Sequence, residues 1–240
     1  MGGLIYRNFY TNISSFRLSV IVSAICCASL VFYSFTIRSD AENQSSLLYI
    51  IAFLLYYFCF MLSGLTSTMV FQTDENKTAS AFAISLPQGG KGHIQSKYWY
   101  LLIILLTTLF ITFISDTISF FILGGKFSAS LVLLLLFSGR LLMFAIEIPF
   151  MVRFGVMKGI KIKGIIVSVI LLLVITYFLF GDISWLLYSD DPAKALINWL
   201  KNGDIVLVLS LLPPFSIFAY WLSCKISVKL FRKGAENYEQ

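Results

Sequence analysis

The chain has little charge for its length. Only 12% of its 240 residues are charged, about half the share usual in globular proteins, whereas 58% are hydrophobic. A soluble fold of this size cannot bury so much apolar surface. The composition therefore excludes a disordered chain and an ordinary soluble enzyme, and it predicts an all-α integral membrane protein.

Metal ligands and paired cysteines are also scarce. The four cysteines, Cys26, Cys27, Cys59 and Cys224, lie within or at the end of apolar segments and show no CxxC spacing. The single histidine, His93, cannot build a metal site alone. We therefore expect no metal site, and we interpret the cysteines as small apolar fillers.

Six segments are long and apolar enough to cross about 30 Å of hydrocarbon. Within a single domain, 1–240, they are residues 18–37, 47–71, 99–121, 129–152, 164–180 and 205–224. The first follows basic residues, as a signal peptide would, but its apolar run is too long and no small-residue cleavage site precedes Arg38. We expect it to remain as a spanning helix.

The basic residues alternate between the segments that separate the spans. The N-terminal stretch, the loops after spans two and four, and the C-terminal stretch hold 13 Lys and Arg, against 4 in the other three loops. The positive-inside rule then places both termini in the cytoplasm. Because the net charge of +6 is not gathered on one soluble domain, we expect no nucleic-acid partner.

The loop between spans two and three contains a short predicted helix over residues 78–85. Asp74 or Asn76 can cap its start, and Pro87 must end it. Phe82 is its largest apolar side chain and lies mostly among small residues. Two interpretations stay open: the helix is a plug for a partner's cleft, or it is a plain structured loop.

The same loop contains a glycine-rich run at residues 89–92, Gly-Gly-Lys-Gly. A phosphate-binding P-loop has glycine five residues before its second glycine and Ser or Thr after its lysine. Here Ser85 and Gly92 stand in those places, and no strand precedes them. We therefore do not expect this chain itself to bind ATP or Mg.

Two further segments outside the spans have helical patterns. In residues 182–204, Asp191-Pro192 is a helix-start signal, and apolar residues then recur at helical spacing. We predict an amphipathic helix on the outer surface, which either shields an exit path or caps the bundle. Residues 4–9 suit a short amphipathic helix on the inner leaflet, or they extend span one.

Three ionisable residues lie within spans, where a central charge costs about 2.5–3.5 kcal/mol. Counting 1.5 Å per residue places Asp116 in the outer third, Arg140 near the middle and Glu147 near the cytoplasm. All three are candidates for a polar pathway or for packing between helices. In span six, Pro213 and Pro214 remove two N–H donors and predict a kink or a break.

Several runs, taken in this order, resemble the bacterial type-2 ABC exporter permeases. FQTDENK at 71–77, SLP at 85–87 and SKY at 96–98 resemble that family's first cytoplasmic loop. EIPFMVRFG at 147–155 resembles its pattern of proline, basic residue, Phe and Gly, and residues 4–9 also fit. The group that looks most similar is the permeases that export amphipathic peptides, such as the phenol-soluble-modulin exporters of staphylococci.

The resemblance implies a multi-pass protein of the bacterial plasma membrane, in contact with lipid and without catalytic residues of its own. Two permeases, identical or sister subunits, would pair, each docking an ATP-binding-cassette ATPase that binds ATP and Mg. The cargo would be an amphipathic or antimicrobial-type peptide. The loop helix would be the coupling helix, with the ATPase contacts at Asp74, Glu75, Lys77, Thr78, Phe82, Ser85, Leu86 and Pro87.

Two features leave this interpretation open. Residues 88–91, Gln-Gly-Gly-Lys, stand where relatives commonly carry an apolar residue and an arginine, which puts the identity of the ATPase in question. The residues are also compatible with a non-transporting membrane immunity or sensor protein that binds a peptide or an ATPase. Recovery of an ATPase with the chain would favour transport.

Overall fold

The computed structural model describes residues 2–37, 41–72, 89–125, 127–181 and 203–236. These residues form seven α-helices and no strand, so the predicted all-α fold is confirmed within them. In chain order the helices are α1 Gly2–Thr11, α2 Ile13–Thr36, α3 Ala41–Gln72, α4 Gly89–Ile122, α5 Ser130–Phe154, α6 Val156–Phe180 and α7 Gly203–Glu236.

Six of these helices, α2 to α7, are long and apolar enough to cross a membrane, as predicted. All six extend beyond their predicted spans, and the three largest differences are that α4 begins at Gly89 rather than at 99, α6 begins at Val156 rather than at 164, and α7 ends at Glu236 rather than at 224. A prediction from hydropathy ends each span at the first charged residues. The backbone hydrogen bonds of the helix continue through those residues, so the helix itself is longer.

The N-terminal residues form a helix of their own. α1 ends at Thr11 and α2 begins at Ile13, with Asn12 between them. The Asn12 side chain is buried and donates a hydrogen bond to the Asn8 carbonyl at 3.1 Å. Of the two interpretations of this segment, the separate helix is the one observed.

The apolar core lies among α2, α3, α4 and α5, with α7 packed against α4 and α5. Its most deeply buried members include Leu30, Ala52, Tyr56, Leu101, Leu105, Leu141 and Ile148. In contrast, α6 exposes apolar side chains along most of its length, with Leu172 64% and Phe180 86% exposed. Lipid or another protein subunit must cover this helix.

A single glycine separates α5 from α6. Gly155 has φ 87° and ψ 164°, a backbone conformation that essentially only glycine adopts. One turn later, a Cβ at position 159 would lie 3.2 Å from the Cα and N atoms of Met151, so the two helices approach closely there. Gly155 and Gly159 therefore set the angle at which α6 leaves α5.

We expect Gly155→Ala to destabilise the protein by about 1–3 kcal/mol, because alanine must adopt a strained backbone conformation at this position. Gly164→Ala on α6 is the matched control, since a Cβ there meets no atom within 4 Å. Thermal unfolding in detergent, followed by tryptophan fluorescence, measures the difference. Equal unfolding temperatures for the two variants would contradict the role assigned to Gly155.

The predictions for the loops and for span six have different outcomes. The coupling helix and its ATPase contacts, residues 74–87, lie outside the described residues, as do residues 182–202 of the predicted outer segment. Helix α7 is continuous through Pro213 and Pro214, so the prolines do not break it. The kink at these prolines stays a prediction.

Candidate functional site

The first turns of α4 are unusually polar for a buried segment. We call residues 89–100 the α4 base; it directly follows the residues of the predicted coupling helix. Within it, His93 and Lys97 are each 1% exposed and Ser96 is fully buried. The sequence predicted a soluble loop over residues 72–97, whereas the structure places residues 89–97 of it in helix α4, with most of their side chains buried.

Lys97 fastens the α4 base to the end of α3. Its Nζ donates a hydrogen bond of 2.6 Å to the carbonyl of Val70, and it lies 4.8 Å from the centre of the Phe71 ring. Since α3 ends at Gln72 and α4 begins at Gly89, this contact joins the two helices that bracket residues 73–88. The start of α4 is therefore held against the end of α3.

Helix α1 also binds to the α4 base. The Asn8 amide donates a hydrogen bond of 3.0 Å to the Ser96 hydroxyl, and the Tyr100 hydroxyl donates to the Asn12 carbonyl at 3.3 Å. The Phe9 and Tyr100 rings meet edge to face with their centres 4.7 Å apart. These contacts fix α1 to α4 through both polar and aromatic groups.

Helix α7 makes the third attachment. The Tyr98 hydroxyl is hydrogen-bonded to the hydroxyls of Ser223 and Ser227, each at 2.8 Å. The Tyr220 hydroxyl donates to the Tyr98 carbonyl at 2.7 Å. Hydrogen bonds between spanning helices contribute roughly 0.6–2 kcal/mol each. The α4 base thus connects α1, α3 and α7.

We expect Lys97→Met to destabilise the protein by about 1.5–3 kcal/mol, the usual contribution of a hydrogen bond to a charged group. Methionine keeps the length of the side chain but cannot donate to the Val70 carbonyl. Lys161→Met, at an exposed position of α6, is the matched control. Chemical unfolding of both variants in mixed micelles tests the prediction, and equal stabilities would contradict it.

A second polar group of residues lies deeper in the bundle. We call Ser67, Arg140, Glu147 and Lys163 the buried charge cluster. Glu147, 2% exposed, accepts a hydrogen bond of 3.0 Å from the Ser67 hydroxyl through Oε1. Its Oε2 lies 3.3 Å from Nζ of Lys163. One carboxylate therefore links α3, α5 and α6.

Arg140 belongs to the same cluster, but the carboxylate of the cluster does not form an ion pair with its guanidinium. The guanidinium lies 4.7 Å from the centre of the Phe144 ring and against Gly64, where a Cβ would overlap it. Its Nε and Nη2 atoms are buried and have no hydrogen-bond acceptor among the described residues. Within the same residues, Arg140 and Glu147 form no ion pair.

Asp116 is not part of this cluster, and its carboxylate contacts the backbone at the start of α5. Its Oδ1 accepts a hydrogen bond of 2.8 Å from the Ala129 N–H, directly before α5 begins at Ser130. The first N–H groups of a helix have no partner within the helix, so this buried carboxylate satisfies one of them. A place for Asp116 on a transport pathway stays a prediction.

Sequence reasoning found some of these residues and missed others. Arg140 and Glu147 were recognised because charges within apolar spans are rare, and the structure places both in one cluster. Lys97 and Lys163 were counted as loop charges. The sequence pattern does not distinguish Ser67 or Gly64 from other small residues of the span, because their roles depend on side chains from another helix.

Comparison with known proteins gives one match. Residues 3–232 match the family described as ABC-2 family transporter protein. The matched range includes all six spanning helices, the α4 base and the buried charge cluster. No curated protein and no solved structure matches the chain.

Proposed function

Since the chain belongs to the ABC-2 transporter protein family, we propose that it is the membrane-spanning permease subunit of an ATP-binding-cassette exporter. Membership of this family implies a multi-pass membrane permease that works with an ATP-binding-cassette ATPase. ATP and Mg are bound by that separate ATPase. In the proposal, a second permease, identical or a sister subunit, completes the translocation path.

The observation that carries this proposal is the three-way attachment of the α4 base. In the proposal, residues 74–87 form the coupling helix that docks in a cleft of the ATPase. Lys97 joins the two helices that bracket this segment, and hydrogen bonds at Tyr98 and Ser96 extend the connection to α7 and α1. A movement of the ATPase would thus be transmitted to four helices rather than absorbed by a loose loop.

The proposed cargo is an amphipathic or antimicrobial-type peptide, and the proposed location is the bacterial plasma membrane with both termini in the cytoplasm. The family resemblance supports the cargo, and the distribution of basic residues supports the orientation. The exposed apolar surface of α6 leaves room for a second permease beside lipid. We propose that the two permeases and their ATPases act as one unit.

Transport by inside-out vesicles tests the proposal. The vesicles contain this chain, the ATPase and any sister permease recovered with it, and they are given a fluorescent amphipathic peptide. We expect accumulation that requires ATP and that disappears when the ATPase is replaced by a variant unable to hydrolyse ATP. Peptide binding without ATP-dependent accumulation would contradict the proposal and favour an immunity or sensor protein.

A further inference from the structure

The Arg140 guanidinium offers two parallel N–H donors that nothing in the described residues accepts. These donors are on Nε and Nη2, and the side chain as a whole is only 5% exposed. Nε and Nη2 form one edge of the planar guanidinium, and their N–H groups point the same way. This edge matches the two oxygens of a carboxylate, which can accept both hydrogen bonds at once.

The balance of charges in the cluster also indicates a missing anion. Glu147 is engaged by Lys163 at 3.3 Å and by the Ser67 hydroxyl at 3.0 Å. Two cations and one anion therefore give the buried charge cluster a net charge of +1, and among the described residues no carboxylate oxygen accepts a hydrogen bond from Nε or Nη2 of Arg140. Buried charges in proteins are normally paired. An anion at Nε and Nη2 would complete the pairing.

The surroundings of Arg140 hold the guanidinium in place. Its Cζ lies 4.7 Å from the centre of the Phe144 ring, and the lack of a side chain at Gly64 provides the space it occupies. A guanidinium fixed in this way loses little freedom when it binds a ligand. Because both donor atoms are buried, a ligand reaches them only when the helices around Arg140 move apart, an opening that the protein samples at equilibrium without ATP and that a bound ligand stabilises.

We propose that Arg140 binds a carboxylate group of an amphipathic ligand within the membrane. This inference rests on the proposed transport function and names the chemical group that the translocation path recognises. The carboxylate belongs either to a peptide or to a free fatty acid; the chemistry is the same, and the experiment separates the two sources.

Equilibrium binding to the purified chain in lipid nanodiscs tests the proposal. The probes are an amphipathic peptide without acidic side chains, with either a free or an amidated C-terminus, and dodecanoate compared with dodecanol. For the wild type we expect the carboxylate form of at least one pair to bind about 10-fold or more tighter than its neutral partner. A preference in the peptide pair identifies a peptide as the source, and one in the dodecanoate pair identifies a fatty acid.

Variants at two positions separate carboxylate binding from folding. Arg140→Lys keeps the positive charge but loses the paired donors, and Gly64→Ala displaces the guanidinium without changing the charge. Both should lose the preference for the carboxylate form. Gly139→Ala, where a Cβ meets no atom within 4 Å, is the matched control and should keep it. Size-exclusion chromatography identifies any variant that fails to fold.

Equal binding of the charged and neutral probes by the wild type would overturn the proposal, as would an undiminished preference in folded Arg140→Lys. The measurement needs neither ATP nor an ATPase, so it is independent of the transport assay. Transport without a carboxylate preference contradicts only this inference. A carboxylate preference without transport contradicts only the proposed function.

Discussion

Replacing Phe82 with aspartate is expected to remove the ATPase from the purified chain and to abolish export, while the permease stays folded. Phe82 is the largest apolar side chain of the predicted coupling helix, so it is the expected anchor in the ATPase cleft. Loss of such an anchor at an interface costs about 2 kcal/mol or more, roughly 30-fold in Kd. Aspartate adds the cost of burying a charge.

The control is Thr73→Asp, which places the same charge in the same segment but outside the residues assigned to the ATPase contact. It should retain the ATPase. Phe82→Ala leaves a smaller defect: we expect ATP hydrolysis that no longer drives peptide accumulation. Normal transport by either Phe82 variant, with the ATPase bound, would show that the coupling contact lies elsewhere.

Glu147→Gln is expected to produce the largest loss of stability. It removes the carboxylate that pairs with Lys163 and raises the net charge of the cluster from +1 to +2. Removing one partner of a buried ion pair costs about 3–5 kcal/mol, and because the Lys163 side chain is 23% exposed we expect about 2–3 kcal/mol here. The free energy of unfolding in mixed micelles gives the value directly.

A double-mutant cycle with Lys163→Gln isolates the pair. If Glu147 and Lys163 interact as the structure has them, the double variant will be more stable than the sum of the single effects indicates. Lys161→Gln, an exposed lysine on the same helix, is the control and should add independently to Glu147→Gln. Additive behaviour of Glu147 and Lys163 would contradict the ion pair.

The helices themselves were predictable from the sequence. Spanning segments must be long and apolar because the hydrocarbon gives backbone groups no other partner, so hydropathy alone gave the six spans and their order. The α4 base was not predictable in this way. The pattern places Lys97 outside a span as a charged loop residue, whereas in the structure its side chain is buried and contacts the Val70 carbonyl of another helix.

The same distinction applies to the buried charge cluster. Arg140 and Glu147 stand out because each is a charge within an apolar span, but the sequence does not indicate their partners. Lys163 was assigned to a loop, since the predicted span began one residue later, whereas the structure extends the helix back to Val156. Contacts between helices are set by the tertiary packing, which a single sequence does not reveal.

The most direct test of the account is to purify the tagged chain from its native host in mild detergent and to identify the accompanying proteins by mass spectrometry. The account predicts an ATP-binding-cassette ATPase, retained by Thr73→Asp and lost with Phe82→Asp. The same sample shows whether a sister permease is present. Recovery of the folded chain without any such ATPase would contradict the exporter function.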